Sequence, residues 1–247
     1  MKNRRKIWKK LLVSDYDNTF YINDEDIEKN KKEVKKFIDK GNIFSIATGR
    51  SFDDFKRKWY IYKFEYNYLI LNHGATIIDF NNNIISNYPI DNSIITQIDE
   101  ILNLEKIDMQ FFCSELESRV EKNHKDLTKI YARYETEEKC IKIMEKLKEK
   151  FDNYINVYMV SETALEIISN KTNKSSAIQE LLKLVQISEE NVYTIGDGYS
   201  DIKMIQDFNG YCMGNSVDEL KEICKDKVKA SVSELIIELD IMNDQIV

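Results

Sequence analysis

Four short polar segments of this chain each begin where an apolar run ends, and this repeated pattern constrains the fold more than any other feature. The polar segments are residues 14–19, 47–51, 174 and 196–201, and the apolar runs lie at residues 11–13, 42–46, 165–168 and 192–195. Each run has the length and composition of a buried strand. Open α/β sheets place their sites at the carboxyl ends of their strands. The pattern therefore predicts one site that is built from all four segments.

The order of predicted elements divides the chain into a core and an insertion. Strand and helix alternate up to residue 81 and again after residue 164, which implies a parallel sheet with helices on both faces. The region between contains a hairpin, helices and strands but none of the polar segments, so we expect a small α+β insertion at residues 82–163. Strands are predicted at residues 11–14, 42–47, 68–71, 76–80, 84–88, 108–113, 154–160, 164–168, 191–195 and 211–213, and helices at 26–40, 51–64, 93–104, 137–151, 175–185, 201–208 and 217–224.

Composition excludes several classes of function. The chain has 247 residues and a net charge of −7, which opposes general affinity for nucleic acid. Its apolar stretches are far shorter than the ~20 residues that span a bilayer, so we expect a cytoplasmic protein without membrane partners. The basic leader at residues 1–10 is expected to be a solvated chain end, and binding to an anionic surface is the alternative. The four cysteines lack metal-site spacing and are expected to be free thiols.

Acidic residues follow two of the predicted strands. Asp15 and Asp17 are two positions apart, so on an extended segment both side chains point the same way. Two close like charges are costly unless a cation or a shared proton compensates them. Asp197 follows a strand and a glycine and can reach a metal beside Asp15, and such carboxylates suit magnesium. Asp201 would hold metal-bound waters or orient a lysine, or it is only an acid at a helix N-terminus.

The remaining polar segments supply groups that can bind a phosphate. Thr48 and Gly49 offer a hydroxyl and a backbone N–H at the start of a helix, although a plain strand-to-helix turn is the alternative. Lys171 and Lys174 compete for the role of a cation near the acids, and we favour Lys174 because it opens a helix. His73 lies at a strand end, where it would touch substrate or serve as a structural histidine.

Together these segments resemble the motifs of the haloacid-dehalogenase-like hydrolase superfamily, and more narrowly its Cof-type phosphatases with a type-IIB cap. The matching motifs are D-x-D-x-[TV] at residues 15–19, T-G-R at 48–50, N-K-S at 173–175, G-D-x-x-x-D at 196–201 and M-G-N-S at 213–216. The resemblance implies a Rossmann-like parallel-sheet core at residues 1–81 and 164–247 with an α+β cap domain at 82–163. Departures from the family pattern are Asn18 in place of glycine, Ser200, the added His73 and a short cap.

The resemblance also implies a mechanism. Asp15 would attack phosphorus to form an aspartyl-phosphate, and Asp17 would protonate the leaving group and then activate water. Thr48 and Lys174 would hold the transferring oxygens. Mg²⁺ would be bound by Asp15, Asp17 and Asp197, with Asp201 behind them. The residues that we expect to bind phosphate or substrate are Tyr16, Gly49, Arg50, His73 and Ser200.

We therefore expect a magnesium-dependent phosphatase that hydrolyses small phosphorylated metabolites, such as sugar phosphates, as a monomer or weak dimer. A phosphomutase on the same core is the nearest alternative. A non-catalytic sugar-phosphate-binding regulator is another, although the retained acids and Lys174 argue against it. A signalling receiver domain shares an acidic cluster, a threonine and a lysine, but it would be about half this length. The sequence does not identify the substrate.

Overall fold

The computed structural model describes residues 9–245, including the side chains of residues 9–241, so most of the basic leader lies outside the described part of the chain. The strands are β1 (Leu11–Ser14), β2 (Ile43–Ala47), β3 (Tyr68–Leu71), β4 (Thr76–Asp79), β5 (Ile84–Asn87), β6 (Ile107–Cys113), β7 (Ser118–Val120), β8 (Lys129–Tyr134), β9 (Ile155–Ser161), β10 (Ala164–Ser169), β11 (Val192–Gly196), β12 (Asn209–Met213) and β13 (Val228–Lys229). The helices are α1 (Asp24–Asp39), α2 (Phe52–Tyr62), α3 (Asn92–Leu102), α4 (Glu137–Phe151), α5 (Lys174–Val185), α6 (Ile202–Asp207), α7 (Asp218–Cys224) and α8 (Val232–Gln245).

The described residues form two β-sheets. The larger has the strand order β13-β12-β11-β1-β2-β3-β4-β5, and the smaller has the order β7-β6-β8-β10-β9. In the larger sheet β1 is central and runs parallel to both neighbours, with Leu11 opposite Ile43 on one side and Val192 on the other. All four residues of β1 are buried, as expected of a parallel strand that is covered on both faces. The carboxyl ends of β1, β2 and β11 therefore lie side by side.

Local sequence accounts for the helix boundaries. Asn23 caps α1 by accepting hydrogen bonds from two backbone N–H groups, and three acidic residues occupy its first turn. Its apolar positions Ile27, Val34 and Phe37 are buried. Thr136 caps α4 by accepting one hydrogen bond, from the backbone N–H of Lys139, and α4 spans the predicted residues 137–151. No helix among residues 9–245 is both long and apolar enough to cross a bilayer.

The chain divides into two compact units. The first contains the residues up to Thr48, Tyr62–Leu69 and the residues from Lys174 onward. The second contains Gly49–Ile61 and Ile70–Asn173. The proposed limits of an inserted domain at residues 82 and 163 remain a prediction.

The second unit has its own hydrophobic core. Helices α3 and α4 contribute Ile98, Leu102, Ile143 and Leu147, which are fully buried against one face of the five-stranded sheet. Along the other face, cross-strand pairing places Phe111 opposite Tyr131, Tyr131 opposite Glu166 and Glu166 opposite Tyr158. Glu166 is therefore a charged residue in the middle of a sheet.

The α/β class and the parallel-sheet core are confirmed, but several elements were not predicted. These are β7, β8, β13 and α8. Strand β8 was missed because Lys129 and Arg133 interrupt its apolar pattern, yet Lys129 is only 2% exposed. A buried lysine on a strand is a local departure from sequence rules, and its partners in the second unit account for it. The four cysteines are free and buried, as expected.

Candidate active site

Asp15 lies directly after β1, and its backbone N–H continues the sheet by donating to the carbonyl of Ile195 at 2.9 Å. The residue is buried, and its side chain is 10% exposed. Lys174 Nζ donates to Asp15 Oδ1 at 2.7 Å and to Asp201 Oδ1 at 2.6 Å. Because Lys174 is the first residue of α5, the helix start fixes where its side chain leaves the backbone. The ammonium group thus joins two carboxylates that are far apart in sequence.

Both carboxylate oxygens of Asp201 accept hydrogen bonds. While Oδ1 accepts from Lys174, Oδ2 accepts from the backbone N–H groups of Asp197 and Gly198 at 3.0 and 2.9 Å. Gly196 makes room for this arrangement, since a Cβ at that position would lie 2.5–2.6 Å from the Asp201 side chain. Gly196 is therefore required by a neighbouring side chain. The structure places Asp201 as an organiser of Lys174 and of the loop that carries Asp197.

Thr19 belongs to this site, although the sequence reasoning did not assign it a role. Its hydroxyl is fully buried and donates to Asp197 Oδ1 at 2.6 Å. The signal was present in the D-x-D-x-[TV] motif, whose last position is Thr19. Thr19 orients the Asp197 carboxylate toward Asp15, so it is a positioning residue for the acidic cluster.

The turn after Asp15 explains one departure from the family pattern. Asn18 has a φ of 59°, a left-handed conformation that asparagine tolerates better than most residues and that glycine adopts freely. Asn215 donates from Nδ2 to the Asn18 carbonyl at 2.9 Å and so holds the turn. Asp17 is half-buried on the same turn, where its backbone forms an isolated β-bridge with Tyr21. The backbone that carries Asp17 is therefore fixed without a glycine.

Tyr16 points into the protein. Its side chain is fully buried and its ring stacks with those of Phe20 and Phe64 at centroid distances of 6.3 and 6.1 Å. If Tyr16 binds phosphate, as the sequence predicts, the contact must come from its backbone and not from its side chain. Ser200 is half-buried in a short 3₁₀ turn at Tyr199–Asp201, beside Asp201.

The acidic cluster carries more negative than positive charge. Oxygens of Asp15, Asp197 and Asp201 lie within 4.8 Å of one another, and Lys174 is the cation that bonds to this cluster. Burial raises the pKa of Asp15 well above its ordinary value, and Asp201 and Asp197 add to this effect against the opposing influence of Lys174. Burial also raises the pKa of Asp197. For Lys174, burial alone would lower the pKa, but Asp15 and Asp201 together raise it.

This cluster fits a divalent metal ion. Carboxylate oxygens are the ligands that magnesium prefers, and three carboxylates with oxygens close to one another meet here. Asp15 and Asp197 are the members suited to direct contact, because both oxygens of Asp201 already accept hydrogen bonds from the chain. Asp17 is not part of the three-carboxylate group.

Three of the other predicted residues follow β2, and His73 follows β3. Thr48 is buried in the first unit, and it follows the strand that neighbours β1. Gly49 and Arg50 belong to the second unit, as does His73. Helix α2 begins at Phe52, after Ser51, whose hydroxyl donates to Asp54 Oδ2 at 3.0 Å. The structure thus brings Asp15, Lys174, Asp197 and Asp201 into direct association, with Asp17 and Thr48 on adjoining segments.

His73 has buried partners that the sequence did not reveal. Its Nε2 lies 2.5 Å from Glu166 Oε2, and its ring packs on Tyr158 with a centroid distance of 4.7 Å. Lys129 Nζ donates to Glu166 Oε1 at 2.7 Å and to the Gly49 carbonyl at 2.6 Å. We call Lys129, Glu166 and His73 the buried triad. Burial alone would raise the pKa of Glu166, but Lys129 and His73 outweigh it and lower that pKa to about 2.

The depressed pKa of Glu166 predicts a specific acid sensitivity. An exposed glutamate has a pKa of about 4.3, so the ionised Glu166 stabilises the folded protein fully above that pH. This stabilisation, about 3 kcal/mol from the shift, is lost as the pH falls toward 2. Urea unfolding between roughly pH 5 and pH 2.5 would measure it. We expect the free-energy difference between wild type and Glu166→Gln to shrink as the pH falls.

The control for this measurement is Glu162→Gln, which changes an exposed glutamate in the turn before β10. Its difference from wild type should stay small at every pH. If wild type and Glu166→Gln lost stability in parallel, Glu166 would not carry the depressed pKa.

Comparison with known proteins identifies the class of this site. A sequence profile of the haloacid dehalogenase-like hydrolases matches residues 12–117 and 109–234. The chain therefore belongs to the haloacid dehalogenase-like hydrolase family, and it is an enzyme of the hydrolase class. The resemblance that the motifs indicated is confirmed.

Individual relatives and solved structures match most of the length of this chain. A protein of Buchnera aphidicola subsp. Baizongia pistaciae named "Putative phosphatase" is 24% identical over 233 residues, which cover 82% of this chain and 85% of the relative. A haloacid dehalogenase-like hydrolase from B. subtilis has a TM-score of 0.82 at 17% identity and covers 93% of this chain and 99% of its own. A phosphatase of the same superfamily from Bacteroides thetaiotaomicron has a TM-score of 0.76 at 17% identity, over 97% of both chains. At 17% identity, the similarity to these two solved structures shows the fold of this chain alone.

Proposed function

We propose that this protein is a magnesium-dependent phosphatase that hydrolyses small phosphomonoesters, such as sugar phosphates, through an aspartyl-phosphate. The observation that carries the proposal is the Lys174 ammonium bonded to both Asp15 and Asp201 at the carboxyl ends of parallel strands. This arrangement gives a buried carboxylate a fixed direction and a neighbouring cation. The Buchnera relative bears the name of a phosphatase, which supports the same reaction class.

In the first step, an oxygen of Asp15 attacks phosphorus and the bond to the leaving alkoxide breaks. Asp17 gives its proton to that alkoxide, so an alcohol departs and Asp15 carries the phosphoryl group. Asp17 sits on the turn held by Asn18 and Asn215, two residues from the nucleophile. Acid–base help of this kind typically contributes roughly 10²–10⁴ in rate.

In the second step, water attacks phosphorus and Asp17 accepts its proton. The bond between phosphorus and the Asp15 oxygen breaks, which releases inorganic phosphate and restores the Asp15 carboxylate. Lys174 keeps Asp15 oriented in both steps and supplies positive charge beside the transferring oxygens. The further groups that we propose for phosphate binding are the Thr48 hydroxyl, the backbone of Tyr16 and Gly49, and the side chains of Arg50 and Ser200.

Enzymes of this family generally use a divalent metal, and we propose Mg²⁺ held by Asp15, Asp197 and the carbonyl of Asp17. When bound, it would neutralise charge on the phosphoryl oxygens. Thr19 and Asp201 would keep the Asp197 carboxylate and its loop in place.

Removing the metal should stop the reaction. We expect phosphate release from a panel of phosphorylated metabolites to fall at least about a hundredfold in chelator and to return with Mg²⁺, because the acidic cluster then lacks its compensating charge. Circular dichroism in chelator should show an intact fold, since Lys174 already bonds Asp15 and Asp201. Equal rates with and without chelator would contradict the proposed metal role.

The same panel separates the alternatives. A phosphomutase would move phosphate between positions of a sugar and would release little inorganic phosphate without a bisphosphate activator. A non-catalytic regulator would bind a sugar phosphate, measured by calorimetry, without releasing phosphate.

A further inference from the structure

Within the buried triad of the second unit, Lys129 and Glu166 have no assigned role in the reaction, although both are deeply buried charges. Lys129 is 2% exposed and Glu166 is 8% exposed. Burying an ion pair costs desolvation energy that its attraction does not always recover, and apolar residues often stabilise a core equally well. A buried ionic group in the middle of a sheet therefore indicates a requirement for position as well as for stability.

The triad acts on one stretch of backbone, Gly49 and Arg50. Lys129 Nζ donates to the Gly49 carbonyl at 2.6 Å. The Arg50 carbonyl accepts from the backbone N–H of Asn72 at 3.0 Å. Because a peptide group is planar, fixing the Gly49 carbonyl also fixes the Arg50 N–H, which points the opposite way. Two consecutive peptide groups are thus held by bonds from outside the loop.

His73 adds a steric constraint to these bonds. A Cβ at position 49 would lie 2.5 Å from Cε1 and Nε2 of His73 and 3.0 Å from Glu166 Oε2. The φ of Gly49 is not positive, so glycine is required there by space and not by backbone conformation. The imidazole therefore packs directly against the Gly49 backbone.

The backbone of the turn that carries His73 is strained, and this conformation orients the imidazole ring. Asn72 and His73 have φ values of 49° and 56°, and two successive non-glycine residues in this region cost of order 1 kcal/mol or more each. The strain is held by Asn72 Nδ2, which donates to Thr128 Oγ1 at 3.0 Å, and by the bond between His73 and Glu166. Such strain persists where surrounding structure enforces it, often at functional sites.

We propose that Lys129, Glu166 and His73 are positioning residues that hold the backbone of Gly49 and Arg50 in the geometry that binds the transferred phosphoryl group. Glu166 orients the Lys129 ammonium and the His73 imidazole, Lys129 fixes the peptide plane after Gly49, and His73 blocks movement of the Gly49 Cα. The inference rests on the proposed function, because that function requires the loop after Thr48 to bind phosphate.

The first test removes the ion pair between Lys129 and Glu166. Lys129→Met with Glu166→Gln removes both partners of the ion pair, so neither is left as an unpaired buried charge and the protein should fold. We expect the inhibition constant for inorganic phosphate to rise about tenfold, the loss that one well-placed hydrogen bond represents. The control is Lys10→Met, which removes another buried lysine that donates to a backbone carbonyl, that of Leu239 at 2.6 Å. The control should lower the melting temperature and leave the inhibition constant within about twofold.

The second measurement reports the loop directly. The chain has seven glycines, so ¹⁵N-glycine labelling gives at most seven backbone signals, one of them from Gly49. We expect the Gly49 signal to shift or broaden in the double variant and to stay in place in Lys10→Met. If the wild-type protein released no phosphate from any ester, the proposed function would be wrong. The Gly49 signal would still test whether the buried triad positions the Gly49 backbone. An unchanged Gly49 signal together with an unchanged inhibition constant would overturn the inference.

The third test uses the contact between Gly49 and His73. Gly49→Ala should lower kcat/KM about a hundredfold, because its new methyl group displaces the loop by roughly an ångström. Adding His73→Ala opens the space that the methyl group needs and should restore at least about tenfold of that loss. If the double variant were as impaired as Gly49→Ala alone, His73 would not be the group that positions Gly49.

Discussion

Asp15→Asn is expected to abolish turnover, with kcat reduced by at least about 10⁴-fold, as in enzymes that lose their nucleophile. The amide cannot form the bond to phosphorus, so no phospho-enzyme should accumulate. The variant should fold, because asparagine has nearly the same shape and removes a charge that burial and two neighbouring carboxylates disfavour. Phosphate release and the intact mass of the protein after mixing with substrate would measure both effects.

Asp17→Asn is the matched control for Asp15→Asn. It should still form the phospho-enzyme with an activated ester such as p-nitrophenyl phosphate, whose leaving group needs little protonation. It should then hydrolyse that intermediate slowly, because water is no longer deprotonated. A phosphoryl group retained on Asp15→Asn would contradict the assignment of the nucleophile.

Lys174→Met is expected to cause the second large effect, on both activity and stability. The ammonium is bonded to Asp15 and Asp201, which are buried, and its loss leaves three close carboxylates without that cation. Removing one partner of a buried ion pair typically costs about 3–5 kcal/mol. We expect the free energy of unfolding to fall by that amount and phosphate release to be undetectable. Urea denaturation and a phosphate assay would measure the two effects.

Two further variants separate the catalytic part of this effect from the structural part. Lys171→Met changes an exposed lysine three residues earlier in the chain and should leave both stability and activity unchanged. Lys174→Met with Asp201→Asn removes an acid along with the cation, so it should regain much of the stability. It should remain inactive, because the Asp15 carboxylate has still lost its cation. Activity in this double variant would show that Lys174 has only a structural role.

Much of the fold could be predicted because its signals are local. The buried strand β1, the helix α4 with its Thr136 cap and the hairpin of β4 and β5 each follow from hydrophobic periodicity and capping residues within a short window. Strand β8 could not be predicted in this way. Its pattern contains Lys129, and only pairing with Glu166, 37 residues later, makes that lysine compatible with a buried strand.

The sequence by itself determined the acidic site of the first unit. Motif spacing put Asp15, Asp197 and Lys174 at strand and helix ends, and the rules of parallel sheets bring such ends together. Geometry then showed that Lys174 bridges Asp15 and Asp201, and that the buried Thr19 hydroxyl orients Asp197. A motif fixes which residue types are present, but it does not say which oxygen bonds to which donor.

Only the tertiary structure revealed which polar residues of the second unit contact one another. In the sequence, His73 is a single histidine at the end of a predicted strand. Neither Lys129 nor Glu166 belongs to a recognised motif. Their partnership depends on strands β8 and β10 pairing side by side and on the turn at Asn72 aiming His73 at Gly49. Contacts between residues so far apart in sequence leave no periodic or local signal, because their energy exists only once the chain has folded.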